Sequence, residues 1–383
     1  MGATITKVLL ATAVALVYGG AAGAADGIWD MQAVDADGVG TDPRIGGDPL
    51  NPDSWVTVEG IALNASSELL DSSMWQVFVQ GEPPDSGGIA AWHGAWFYDP
   101  NDYPNNPPWP PFPSVQAGDR VQIVGLIAFH NGKVNINTRH SSDPLMLFDV
   151  TILEPNVGMP EPKVIPSVAD ANYFDQTRSG GGESYQAQWC QLDDVWIDSG
   201  TWGAGQTLAL TDAGGGQVDM FLAGPGDFGD YAMPVGQFSV RGVFDQEDTT
   251  SPYHAGYRLW VKTFADFEFP LTVKRNNPGY GTVDLDPAPG DANTPTYPGR
   301  TEVTLTAQPN GNKAFKYWRI YDPNHPGDGN YAAIDSNNPI TIVMSDAQRV
   351  KAKFTCGGGM GPMLPMVLGA MGLVAFARRR WQS

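Results

Sequence analysis

The chain has 383 residues, 46 of them Gly and 32 Pro, so it exceeds what one hydrophobic core ordinarily organises and leaves little room for long helices. Apolar residues make up 42% and charged ones 17%, a balance that excludes wholesale disorder and predicts two or three small β-rich domains. The formal charge of −20 is concentrated: residues 26–268 hold 9 Lys and Arg against 34 Asp and Glu, net −25, while residues 269–356 hold 9 against 8, net +1. Such a field repels phosphate backbones and argues against nucleic acid as a partner. Cationic ligands, divalent metals and neutral sugars suit it, and it also serves simply to keep an exported protein soluble.

In chain order, Lys7, the apolar run Val8 to Val17 and the small residues Ala22-Gly23-Ala24 have the layout of a secretory signal, which places a signal helix within residues 1–25. Asp35, Asp37 and Asp42 then surround Gly38 and Gly40, a density of carboxylates and turn residues suited to wrapping Ca²⁺. The twelfth position counted from Asp35 is Gly46, where an EF-hand loop needs a bidentate Glu, so an acidic turn competes with the calcium reading.

Residues 26–158 predict strands at Trp55 to Leu63, Met74 to Gln80, Gly88 to Trp92, Arg120 to Phe129, Lys133 to Thr138 and Leu145 to Leu153, with Asn131-Gly132 as a hairpin turn. An insert at residues 99–113 sets Tyr103, Trp109 and Phe112 among prolines, either as a semi-rigid flap over the first barrel or as a means of presenting Trp109 to a partner. Residues 159–268 repeat the scheme with Gln188 to Ile197, Leu208 to Thr211, Gln217 to Leu222, Gln237 to Phe244 and Tyr257 to Lys262, and Ser167 to Ala171 caps a short helix. In both units alternating apolar residues run into a glycine: Val56 and Val58 before Gly60, Val121 and Ile123 before Gly125, Phe238 and Val240 before Gly242. Each pattern reads as a strand with one buried face and a Gly at a bulge or sharp bend, which lets a short sheet curl into a barrel.

The segments Trp29-Asp30-Met31-Gln32-Ala33, Val56-Thr57-Val58-Glu59-Gly60, Val79-Gln80, Gly118-Asp119 and Val124-Gly125, with Glu183-Ser184-Tyr185, Leu192-Asp193-Asp194-Val195, Arg241-Gly242-Val243-Phe244 and Gly256-Tyr257 in the second unit, resemble the OB-fold modules of bacterial exported proteins. The resemblance implies two small OB-like barrels in tandem. Some such modules accompany secreted nucleases, which makes a nucleic-acid-binding accessory role the alternative reading. Residues 269–355 contain Gly279-Tyr280-Gly281-Thr282-Val283, Tyr297-Pro298-Gly299, Val303-Thr304-Leu305-Thr306-Ala307, Phe315-Lys316-Tyr317-Trp318 and Val350-Lys351-Ala352-Lys353-Phe354, and resemble a divergent internalin B-type bacterial repeat. That resemblance implies a compact β-grasp-like spacer. Alternation alone predicts that Val303, Leu305 and Ala307 line a core onto which Phe315 and Trp318 pack.

After Cys356 come three glycines, an apolar span from Gly361 to Ala377 and Arg378-Arg379-Arg380. Read plainly, residues 356–383 are a hydrophobic membrane-anchor helix. The order also resembles Cys-containing C-terminal sorting signals of bacterial exported proteins, which implies Cys356 as the modified or cleavage-adjacent residue, a sorting or processing protease as partner, and display at the cell surface or outer envelope. Cys190, the other cysteine, reads as an inert buried thiol.

His93, His130, His140, His254 and His325 lack metal-site spacing, and no nucleophile elbow or P-loop occurs, so the sequence offers no catalytic constellation. A metal-dependent hydrolase would need carboxylates gathered between the barrels. The face of the first barrel is more informative. If Val77 and Val79 point inward, Gln76, Phe78 and Gln80 point outward; Trp92 joins them from the next strand, and Asn135 and Asn137 from the last hairpin. Stacking rings beside hydrogen-bonding amides suit a sugar or a single-stranded base, and the acidic field favours the sugar or a peptide. Gln76, Phe78, Gln80, Trp92, Asn135, Asn137 and, from the insert, Trp109 are therefore the candidate contacts of an exported, surface-anchored, non-enzymatic protein that recognises an extracellular glycan or peptide or serves in surface structure.

Overall fold

The computed structural model describes residues 25–48, 51–70, 74–94, 113–137, 148–321 and 331–356. The chain is all-β as expected: among the described residues the α-helices are two single turns, α1 (Ile28–Met31) and α2 (Val168–Ala171). The signal segment, nearly all of the proline-rich insert with Trp109, and the apolar C-terminal span lie outside the described residues. No helix among the described residues is long and apolar enough to cross a membrane.

The first barrel is built from β1 (Trp55–Ala62), β2 (Met74–Gln80), β3 (Gly88–Gly94), β4 (Arg120–His130), β5 (Lys133–Asn137) and β6 (Asp149–Glu154). The strands run in the order β1-β2-β3-β5-β4, and β4 pairs back onto β1 from Trp55↔Leu126 to Ile61↔Arg120, which closes the sheet. β3 and β5 are parallel, the other neighbours antiparallel. Period-two alternation fills the interior with Val56, Val58, Val77, Val79, Ile89, Ala91, Val121, Ile123, Val134 and Ile136, all buried, and α1 adds Ile28 and Met31 to the same core.

β8 (Trp189–Gly200), β9 (Thr207–Thr211), β10 (Val218–Leu222), β11 (Phe238–Gln246) and β12 (Tyr257–Val261) repeat that order. β10 and β12 are the parallel pair, β11 closes onto β8, and β7 (Lys163–Ile165) lies parallel beside β8. α2 begins where expected, with Ser167 Oγ accepting from Asp170 N at 3.0 Å.

The glycines act by close approach. A Cβ on Gly60 would stand 2.3 Å from Gln80 O, where β1 passes from β4 to β2, and one on Gly242 would stand 2.6 Å from Trp260 O. The register irregularities of the barrel strands lie elsewhere, between Arg120 and Val121, between Ile197 and Ser199 and between Phe238 and Val240, so these glycines make room for a neighbouring strand and do not sit in bulges.

The third unit comprises β13 (Phe267–Arg275), β14 (Gly281–Asp286), β15 (Thr296–Pro298), β16 (Glu302–Pro309), β17 (Lys313–Tyr321), β18 (Tyr331–Asp335), β19 (Ile340–Val343) and β20 (Gln348–Cys356). The sheet β18-β17-β20-β13 packs on the sheet β14-β16-β19, and the alternating Val303, Leu305 and Ala307 share a core with Trp318, as the sequence predicts. β13 pairs first with β11 of the second barrel, Val240↔Phe267, and then with β20, Leu271↔Gln348. One core therefore runs from the second barrel into the third unit, and the expected boundary at residue 268 falls inside a strand.

Candidate binding cavity between the barrels

Alternation orients the outer face of β2, β3 and β5 as the sequence predicts, and the fold decides what covers it. Asn64 pins β2 from outside the barrel, its Nδ2 donating to Gln76 O and its Oδ1 accepting from Phe78 N, both at 2.8 Å. Between those two contacts Val77 enters the core, so Gln76 and Phe78 face the second barrel. On that barrel Tyr257, Leu259 and Val261 of β12 fill its interior, which turns Arg258 and Trp260 back toward the first.

Two of the expected ligand contacts are spent on joining the barrels. Phe78 is 0% exposed and meets the Trp260 ring edge-on at 6.1 Å, in a small core shared with Leu63, Trp189 and Val243. Gln80 Oε1 accepts from Trp189 N at 2.9 Å. Both are packing residues because the second barrel docks over them.

With Trp109 outside the described residues, the other four remain together. Gln76, Trp92, Asn135 and Asn137 line a cavity of about 290 Å³ with Leu70 and Ala90, and the far wall is Glu247, Arg258 and Trp260 of the second barrel. Asn137 Nδ2 donates to Asn135 Oδ1 at 2.6 Å. Gln76 Oε1 and Trp260 Nε1 are buried with no hydrogen-bond partner, on side chains only 7% and 3% exposed. Such orphaned groups cost about 1–3 kcal/mol each when nothing meets them, and both belong to side chains that line the cavity.

The charged wall is internally balanced. Lys133, at the cavity, donates to both oxygens of Asp245 and to Glu247, while Arg258 reaches the same two carboxylates. Burial alone would raise the Asp245 pKa, yet the Lys133 and Arg258 charges outweigh it and hold this carboxyl below its ordinary range. Glu247 is likewise held low against its own burial by Lys133 and by a hydrogen bond from Asn131. Two cations against two carboxylates leave a wall that is polar and close to neutral. The Arg258 guanidinium also lies over the Trp260 ring, 4.8 Å from its centroid.

The acidic loop near the N-terminus, where the sequence offers Asp35, Asp37 and Asp42 for calcium, uses Asp35 and Asp42 in local contacts and meets the second barrel. Asp35 Oδ1 accepts from the backbone N–H groups of Asp37 and Val39, and Asp42 is paired with Arg44 at 2.7 Å. The turn so formed meets the second barrel, with Tyr253 N donating to Asp37 O. Among the described residues no group of three His, Cys, Asp or Glu side chains is placed to hold a metal ion.

Cys356 ends β20, exposed, with Sγ 3.4 Å from Tyr280 Oη and 3.5 Å from Lys313 Nζ; these contacts lower its thiol pKa. Cys190 is the buried thiol expected, pushed up to about 12 by desolvation. A second groove, of about 560 Å³, lies between β13 and β14, but among the described residues no orphaned polar side chain lines it.

Sequence reasoning missed Trp260, Arg258, Lys133 and Glu247. Lys133 was within reach, since it follows the Asn131-Gly132 turn on the strand that carries Asn135 and Asn137. The other three depend on which face of β12 meets the first barrel, and no local pattern encodes that. No protein-family model matches the chain, and no curated protein matches it.

Proposed function

We propose that this chain is an exported, surface-anchored, non-enzymatic binding protein that holds an extracellular glycan or peptide in the cavity between tandem OB-like barrels. The strand order, 1-2-3-5-4 closing on 1 with the third and fifth strands parallel, supports the OB-like reading, and strands two and three are the usual ligand platform of such barrels. The observation that carries the proposal is the convergence of Gln76, Trp92, Asn135 and Asn137 on one concave site with two orphaned polar atoms in its wall. In this reading the third unit is a spacer and the C-terminal segment an anchor. The test is a glycan and peptide array probed with the full chain and with Trp92→Ala. Binding that is lost in the variant supports the cavity; binding indifferent to Trp92 removes it.

A further inference from the structure

We infer that the cavity is selective for a neutral sugar, whose hydroxyls satisfy Gln76 Oε1 and Trp260 Nε1 while a ring face lies on Trp92; this rests on the cavity being the binding site. In the amide orientation of the structure the two orphaned atoms are of opposite kind, Gln76 Oε1 an acceptor and Trp260 Nε1 a donor. An anion accepts only and leaves Gln76 Oε1 unmet. A cation donates only and leaves Trp260 Nε1 unmet. A hydroxyl group does both, and a sugar carries several around an apolar ring face.

Charge points the same way. Lys133 and Arg258 are already engaged by Asp245 and Glu247, so an anionic ligand would have to displace a carboxylate that burial makes hard to release. An extended peptide also carries donors and acceptors, but its usual purchase on a β protein is a free strand edge. Here β2 is hydrogen-bonded to β3 and β3 to β5 alongside the cavity, which leaves amides, an indole, the His130 imidazole and a small apolar patch of Leu70 and Ala90 beside the paired charges as the surface offered. The volume, about 290 Å³, lies at the small end of ordinary ligand pockets and suits a saccharide of one or two rings.

The experiment presents the full chain with three sets of probes: neutral mono- and disaccharides, uronate-containing oligosaccharides, and decapeptides. Calorimetry on the best binder then compares wild type with Gln76→Met and Trp260→Phe, which delete the orphaned atoms and keep most of the side-chain volume. Neutral saccharides are expected to bind, with each variant weakened about tenfold or more and with the unfolding temperature of Gln76→Met unchanged or raised, because an unmet buried polar atom has been removed. A second readout needs no variant: in ¹⁵N-indole spectra of the wild type, the saccharide should move the Trp260 N–H resonance. Binding confined to uronates or peptides, but still lost in Trp92→Ala, overturns the sugar assignment and leaves the cavity. An unmoved Trp260 resonance, or full affinity in both variants, overturns the assignment too. Absence of binding by every probe, or binding insensitive to Trp92→Ala, overturns the cavity reading itself.

Discussion

Lys133 Nζ in the first barrel lies 2.8 Å from both carboxylate oxygens of Asp245 in the second, and the Asp245 side chain is 1% exposed. The pair ties the hairpin after β4 to β11 across the domain contact. Lys133→Met would leave a buried carboxylate with Arg258 as its main counter-charge, an arrangement expected to cost about 3–5 kcal/mol. Adding Asp245→Asn should recover much of that loss, since the uncompensated charge goes with it. Urea unfolding of the two variants checks both steps, and a Lys133→Met loss below about 1 kcal/mol would contradict the assignment. Because Asp245 and Glu247 titrate below their ordinary range in the fold, their contribution is present above that range and is lost only as pH falls through the depressed values. The tie is therefore intact at neutral and mildly acidic pH.

Phe78 and Trp92 point from the same barrel face and should part company under mutation. Phe78→Ala opens a cavity in the contact with Trp260 and should cost about 3–5 kcal/mol. Trp92 is only partly buried, so Trp92→Ala should cost at least about 2 kcal/mol less while carrying the loss of ligand binding. Thermal unfolding of the two variants side by side decides it; equal destabilisation would mean that both rings are structural.

That split shows where the sequence stopped informing. The inward set Val56, Val58, Val77 and Val79 and the outward set Gln76, Phe78 and Gln80 were legible because strand period two is a local property. So was the Asn131-Gly132 hairpin, both residues having positive φ. The covering of the outward residues was not legible, because it depends on partners such as Trp189, 109 residues from Gln80. The same holds for Gly60: the pattern marked it as special, but only the approach of Gln80 O explains why. Asp35 and Asp42, candidate cation ligands by their residue type, meet backbone amides and Arg44 in the fold.

Glu183 is a buried carboxyl whose pKa is raised to about 7 by desolvation, with its Oε1 accepting from Tyr257 Oη at 2.7 Å. Its folded pKa lies above the unfolded value of 4.5, so its contribution to stability is complete below pH 4.5 and is lost as pH rises toward 7. A displacement of that size is worth about 3 kcal/mol across the window. Glu183→Gln should flatten this part of the profile and raise the unfolding temperature at pH 7.5 relative to wild type. Melting curves from pH 4.5 to 7.5 test it, and parallel profiles for the two proteins would assign the slope to other groups.

The shared strand β13 predicts that the second barrel does not survive alone. Ending the chain at residue 268 removes β20 and β15, both partners of β13, together with Phe269, Leu271 and Tyr297 from the common core. Phe269 stacks on Phe267 and packs against Phe264 and Phe238, so the truncated barrel would expose three large rings at one end. Each buried side chain lost or exposed there gives up about 1.5–3 kcal/mol, enough in sum to exhaust the margin of a small domain. The cut also removes Asp346, whose carboxylate accepts from the backbone N–H groups of Val235 and Gly236, and Arg300, which pairs with Asp227 at 2.7 Å. A fragment of residues 26–268 should therefore aggregate or unfold at least about 10 °C below a fragment of residues 26–356, in which the second barrel and the third unit melt as one transition. Size-exclusion chromatography and near-ultraviolet dichroism report both properties, and a monomeric 26–268 fragment that melts with the longer one would show that the core is divisible at β13.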